Sequence, residues 1–233
     1  MELRAHEIAI PEVISRAGIA DLEAAIESAP PGRPWVLRAE SELAFCNGMD
    51  LAEATAGDPR DALGRFARAL IRLTRASAPT IALVDGEARG GGVGIAAACD
   101  FVIATDRASF ALPEALFGLS PATIAPVLTM RLSAHALRLW TIRACMIDAL
   151  HAERIGLVDR VIDRSEIASA ATRAVRELSR AAVDAMPGVR ELGAPPDEAI
   201  LEGAERTLER LRDPVVRGRI RAFLEDGAPP WSC

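Results

Sequence analysis

The chain has 233 residues, half of them apolar, and a formal charge of −6, which suits one large domain or a domain with a small appendage and argues against a general nucleic-acid surface. Its 27 basic residues are all arginine and tyrosine is absent, so no Schiff-base lysine and no tyrosine acid can take part in its chemistry. No apolar run approaches the roughly 20 residues of a membrane span, and an N-terminus carrying Glu2 and Glu7 does not read as a signal peptide; a cytoplasmic protein without membrane or nucleic-acid partners is expected.

Cys46, Cys99, Cys145 and Cys233 are widely spread with no C-x-x-C pair, and His6, His135 and His151 stand at no metal-ligand spacing. Free thiols and no metal are expected. In chain order, Glu2 to Pro11 reads as a short strand. Val13, Ile14, Ile19, Leu22 and Ile26 then give Pro11 to Ala29 a helical apolar spacing, ended by the prolines at 30, 31 and 34. Trp35 to Ala39 reads as a second strand leading into the turn-rich Phe45–Asp50 segment, and Arg60 to Ala76 as an amphipathic helix. Thr80 to Val84 is a β-branched apolar run followed by Gly86 and Gly90-Gly91-Gly92; a short apolar helix from about Gly92 to Cys99 leads to a strand at Phe101 to Thr105. Strand–helix–strand alternation predicts a parallel sheet. Helices follow at His135 to Met146 and at Asp148 to Ile155, with Asp148 as N-cap, then a strand at Leu157 to Ile162. Two further helices, Glu166 to Ala182 and Glu198 to Asp226, flank the Pro-rich break Gly193 to Pro196. The one boundary, near Met186 to Pro196, divides residues 1–185 from a helical C-terminal region, 186–233.

Glycines between a strand and a helix let backbone approach a ligand closely and aim free N–H groups at negative charge. Three readings meet here. The turn is packed tightly for steric reasons alone; or Gly92-Val93-Gly94-Ile95-Ala96-Ala97 is a G-x-G-x-x-A dinucleotide turn; or the amides form an oxyanion hole. The second reading lacks its acidic residue about 20 positions on, since the next strand runs out at Asp106 and the intervening helix is short.

The third reading is supported by a family likeness. Phe45-Cys46-Asn47-Gly48-Met49-Asp50-Leu51, the run from Asp85 to Asp100, and Phe110-Ala111-Leu112-Pro113-Glu114 with Phe117-Gly118-Leu119 resemble, in order and spacing, the crotonase superfamily of enoyl-CoA hydratases and isomerases. A softer match, Ala152 to Asp159, extends the likeness to Ile162. The resemblance implies an α/β fold, a spiral of ββα units with a helical C-terminal region. It also implies an oxyanion hole made by the backbone N–H groups of Met49 and Gly91. Such donors stabilise the enolate oxygen formed when a proton leaves the α-carbon of a thioester, each worth about 2.7–4 kcal/mol. Gly48, Gly90, Gly92 and Arg89 are candidate substrate contacts by position, Arg89 toward a carboxylate or phosphate.

Family hydratases carry two glutamates, and here the first position is Gly94 while the second is Glu114. A single carboxylate resembles the isomerases and also the dehydratase-like members of polyketide β-branching cassettes. The longer match is to the latter, through F-C-x-G-M-D, G-V-G, Glu114 to Pro121, and the closing Phe223 to Trp231. The segment before Phe45 is shorter than usual for the family. The likeness implies dehydration of a 3-hydroxy-3-methylglutaryl group on an acyl carrier protein, with Glu114 as base and then acid. It implies no cofactor beyond the coenzyme A or phosphopantetheine arm of the substrate, and a homo-oligomer, trimer or hexamer. A Δ3-Δ2 enoyl-CoA isomerase and a non-catalytic scaffold subunit stay open as alternatives. Leu112, Leu116 and Phe117 are expected to form an apolar setting for Glu114. Cys46 is read as a buried filler, Asp50 as an Asx-type loop fixer, and His135 and His151 as surface residues.

Overall fold

The computed structural model describes residues 5–41 and 43–226; the Gly227–Trp231 end of the C-terminal motif, Cys233 and Glu2 lie outside them. The chain opens with β1 (His6–Ile10), α1 (Arg16–Glu27), β2 (Trp35–Ala39) and β3 (Ala44–Cys46). Helices α2 (Leu51–Ala56) and α3 (Arg60–Thr74) lead to β4 (Thr80–Val84), β5 (Glu87–Arg89), α4 (Gly91–Ala97), β6 (Phe101–Thr105) and β7 (Ser109–Ala111). After a 3₁₀ turn at Pro113–Phe117 come α5 (Ala125–Leu128), α6 (Ala134–Arg143), β8 (Ile147–Asp148), α7 (Ala149–Arg154) and β9 (Arg160–Ile162). Helices α8 (Ile167–Leu178), α9 (Met186–Glu191), α10 (Asp197–Arg212) and α11 (Pro214–Asp226) close the chain.

From β2 to β7 successive strands alternate between two sheets. The larger is all parallel, in the order β1-β2-β4-β6-β9, and the smaller runs β3-β5-β7-β8, antiparallel only at its last pair. Each ββ step therefore crosses from one sheet to the other, and each following helix carries the chain to the next turn of a spiral, as the family likeness implied. The large sheet's central strands β4 and β6 are buried on both faces, which is why they read as continuous apolar runs, whereas the edge strand β1 alternates with Glu7 and Ala9 exposed. Leu37, Ala82, Val84 and Val102 face the main core, while Val36, Ile81, Leu83 and Ile103 lie under α8 with Ala170, Ala174 and Val175.

Several expectations need correction. The first helix starts only at Arg16, capped by Ser15, whose hydroxyl accepts from the Gly18 N–H; Val13 and Ile14 stay outside it because Ile14 bridges to Met49. The expected helix to Met146 ends at Arg143, where Ala144 turns left-handed at φ 48°. The single helix expected from Glu198 to Asp226 is two, broken at Asp213, since Pro214 disfavours helical backbone in the residue before it and cannot donate. Asp148 caps α7 as expected, accepting from the His151 N–H at 2.7 Å. The C-terminal helices join the main core through Ile200, Ala204, Leu208, Leu211, Val216 and Ile220. Among the described residues, no helix is long and apolar enough to cross a membrane.

Candidate active site

Two short strands assemble the site. β5 pairs in parallel with β7, Glu87 opposite Ser109 and Arg89 opposite Ala111, so the segments that follow them, Gly90 to Gly92 and Pro113 to Phe117, leave the sheet side by side. Gly90 adopts φ 48° and ψ −113°, a conformation suited to glycine, and its N–H donates to the Ala111 carbonyl at 2.9 Å. A side chain there would meet Glu114 Oε1 at 3.0 Å. The chain then enters α4, where the Gly91 amide belongs to the first turn and has no acceptor within the helix.

The loop after β3 forms the opposite side. Gly48, at φ 82°, is pressed so closely on the glycine turn that a Cβ would lie 2.8 Å from the Arg89 carbonyl oxygen and 3.4 Å from the Gly91 nitrogen. Ile14 holds this loop by a parallel bridge: its N–H donates to the Gly48 carbonyl at 2.8 Å, and the Asp50 N–H donates to its carbonyl at 3.2 Å. In that pattern the bridged residue's own amide faces away from its partner, so the Met49 N–H points away from Ile14. Asp50 is the N-cap of α2, accepting from the Glu53 N–H at 2.9 Å, rather than a fixer of its own loop.

Glu114 extends from the 3₁₀ turn. Its neighbours Leu112 and Phe117 are buried, whereas Leu116, expected beside them, is 38% exposed and turns outward. Glu114 Oε2 is buried and meets no hydrogen-bond partner among the described residues. Burial disfavours the charged form and pushes the carboxyl up from 4.5 to about 7. The Gly94 position holds no acid and has no space for one: a Cβ there would lie 2.3 Å from Ile124 Cγ2. One turn of α4 thus presents Glu114 at Gly90 and an apolar filler at Gly94.

These parts line one cavity of about 440 Å³, which takes in Gly48, Met49, Arg89, Gly90, Gly91 and Glu114. Its walls include Ile14, Phe66, Ile124, Thr207 and Phe223, with Phe223 of α11 packed edge-on against Phe117 at 5.4 Å between ring centres. Sequence reasoning missed these wall residues. Gly94 signalled that something must fill its place, but only the fold supplies Ile124. Gly92 packs on Cys46, whose carbonyl oxygen a Cβ would meet at 2.3 Å, and so stands outside the lining. Arg89 lines the cavity while pairing with Glu87 and donating to Asn47 Oδ1 at 3.1 Å. Burial pushes the Cys46 thiol up to about 12, leaving it a neutral filler, as expected.

The enoyl-CoA hydratase/isomerase family matches residues 14–232. A carnitinyl-CoA dehydratase from Proteus mirabilis is 32% identical over 216 residues, covering 87% of this chain and 82% of that protein. Among solved structures, an enoyl-CoA hydratase from Mycobacterium avium superposes with a TM-score of 0.77 at 29% identity, over 94% of this chain and 88% of that one. A candidate polyketide biosynthesis enoyl-CoA hydratase from Bacillus subtilis shares the fold, with a TM-score of 0.84 at 22% identity over 96% and 94% of the two chains.

Proposed function

The chain belongs to the enoyl-CoA hydratase/isomerase family of the crotonase superfamily and is a hydratase/dehydratase-like lyase; from that premise we propose that Glu114 is its acid–base residue and that the Met49 and Gly91 amides form its oxyanion hole. The observation that carries this is the buried Glu114 carboxyl, with no hydrogen-bond partner for Oε2 among the described residues, set against the glycine turn beside the Met49 loop. In the dehydration direction, the Glu114 carboxylate takes the α-proton and the C–H electron pair becomes an enolate, its oxygen held by the two N–H donors. Collapse of the enolate breaks the β-carbon–oxygen bond, and the departing hydroxyl takes the proton from Glu114 as water. A carboxyl near 7 serves both steps, because it both accepts and returns a proton near neutral pH.

The substrate we propose is a 3-hydroxy-3-methylglutaryl-type thioester on an acyl carrier protein, in polyketide biosynthesis. Supporting this are the F-C-x-G-M-D, G-V-G and Glu114-to-Pro121 likenesses, and Arg89, the only basic residue lining the cavity among the described residues, which suits a distal carboxylate. Gly48 and Gly90 shape the thioester end of the cavity, and Gly92 supports it from behind. No cofactor beyond the carrier arm takes part. We divide the chain into a spiral core, 1–185, and a C-terminal region, 186–233, which walls the cavity with Thr207, Phe223 and Leu224. Exposed Leu139, Ile142 and Leu150 suit self-association as a trimer or hexamer, in the cytoplasm.

Replacing Glu114 with Gln keeps the shape and removes the proton acceptor, so turnover of a 3-hydroxyacyl thioester is expected to fall by at least about 10²-fold with folding retained. Survival of most turnover would sink the assignment. The lone carboxylate also suits double-bond isomerisation; transfer of ¹⁸O between solvent and acyl chain marks the lyase, and its absence with a shifted double bond marks the isomerase. A chain silent toward both reactions would be a scaffold subunit.

A further inference from the structure

The cavity holds a pair of hydroxyls that the steps above do not use. Thr123, on the segment after the 3₁₀ turn, and Thr207, on α10, are 5% and 9% exposed, and their Oγ1 atoms lie 3.0 Å apart. Both residues line the cavity. Their placement is fixed by the fold: Gly203 lets α10 approach so closely that a Cβ there would come within 2.1 Å of the Ala122 carbonyl oxygen. Glu114 and Arg89 already have roles in the proposed reaction, and the other polar side chains of the lining are committed elsewhere or exposed. Asp50 caps α2 and Asn47 accepts from Arg89, while Ser120 is exposed.

Helix α4 relates the pair to Glu114. Gly90 faces Glu114 Oε1, and Gly94, whose N–H donates to the Gly90 carbonyl at 3.1 Å, faces Ile124. Thr123 adjoins Ile124, and Thr123, Ile124 and Glu114 all line the same cavity.

The proton arithmetic of the pair is ambivalent. In one arrangement Thr207 donates to the Gly203 carbonyl at 3.0 Å and Thr123 donates to Thr207, leaving the Thr123 oxygen as an acceptor. In the other, Thr207 donates to Thr123 and the Thr123 O–H is a donor. The Gly203 carbonyl keeps its helical N–H in both, so the change needs only rotation of two hydroxyl hydrogens. An acceptor suits a substrate hydroxyl; a donor suits the oxygen of water.

We infer that the Thr123–Thr207 pair is the subsite for the substrate's β-oxygen, holding the hydroxyl of a 3-hydroxyacyl thioester and the water it becomes. This rests on the lyase reading and deepens it, giving a chain with one carboxylate a second polar contact for the leaving group. The test measures binding in a Glu114→Gln background, where turnover does not intervene, by calorimetry with 3-hydroxybutyryl-CoA and butyryl-CoA. One neutral hydrogen bond corresponds to a preference of about tenfold for the hydroxylated ligand. Thr123→Val is expected to bring the two affinities level, and Thr123→Ser to restore the difference. An equal preference with and without the Thr123 hydroxyl, or no preference in the Glu114→Gln parent, would overturn the inference. Failure of the lyase reading appears separately, as turnover that survives Glu114→Gln.

Discussion

Glu114 titrates where its protonation can be read in two independent ways. Its carboxylate form starts the reaction in either direction, so kcat/KM is expected to rise with pH through about 7 and level off above it. Stability should run the opposite way. The unfolded chain releases this proton near 4.5 and the folded chain near 7, so between those values the folded state binds more protons and stability falls as pH rises, staying level above. The loss is on the order of 2–3 kcal/mol. Urea unfolding at pH 5 and pH 8 checks it: the Glu114→Gln variant should lack this contribution, and the parent-minus-variant difference should shrink accordingly at pH 8. Asp85 does not blur that window. Burial raises it, but Thr105 and Arg164 outweigh burial and hold it below the usual carboxylate range, so its contribution is lost only in stronger acid.

At the scale of elements, α4 is clamped at both ends. Its N-terminal turn presents Gly91, where a Cβ would meet Ile14 Cδ1 at 2.4 Å and Phe66 Cζ at 3.1 Å, so a valine there should displace the amide and cost activity even where the chain folds. At its other end the Arg131 guanidinium, with its side chain 10% exposed, donates to the Ala97 carbonyl at 3.2 Å and the Cys99 carbonyl at 2.7 Å and pairs with Asp159 at 2.8 Å. A cation there also suits the negative end of the helix dipole. Arg131→Met leaves those buried acceptors unmet and is expected to destabilise by about 3–5 kcal/mol. Lysine should recover little of that, lacking the planar fork; recovery of full stability by Arg131→Lys in chemical denaturation would refute the role of the guanidinium in holding several acceptors at once. Mid-helix, Gly94→Ala should cost about 1–3 kcal/mol through overpacking. Combined with Ile124→Ala the two losses should be less than additive, because the second change vacates the space that the first one needs.

For the whole molecule, α10 and α11 decide what can approach the cavity. They supply Thr207, Phe223 and Leu224 to its wall and also carry the exposed Arg219 and Arg221. α11 thus carries exposed arginines on the same helix as the wall residues Phe223 and Leu224. If the acyl group comes on an acidic carrier protein, turnover of the carrier-bound thioester should weaken with salt, since exposed charges are screened beyond about 8 Å at physiological ionic strength. Arg219→Glu with Arg221→Glu should raise KM for that substrate more than for the coenzyme A thioester. A preference for free coenzyme A without salt dependence toward the carrier would place the enzyme outside carrier-bound chemistry.

The features legible in the sequence are those whose cause is local. Thr80–Val84 and Phe101–Thr105 announce buried strands because a two-faced parallel sheet needs unbroken apolar runs, and Asp148 announces a cap because its carboxyl reaches only as far as the His151 amide. The glycine turn and Glu114 are readable because their spacing is set by one strand–turn–helix unit and one neighbouring strand. What only the tertiary structure decided depends on partners distant in the chain. Strands β3, β5 and β7, three residues each, are too short to hold alone and exist through their pairing in the small sheet. Ile14 carries a helical apolar spacing yet serves Met49 instead, because its backbone groups find the Gly48 carbonyl and the Asp50 amide across the fold. Ile124 fills the place that Gly94 leaves open, and Thr123 meets Thr207 across a gap of 84 positions. No periodicity encodes such meetings; close packing of the C-terminal helices onto the spiral brings them about.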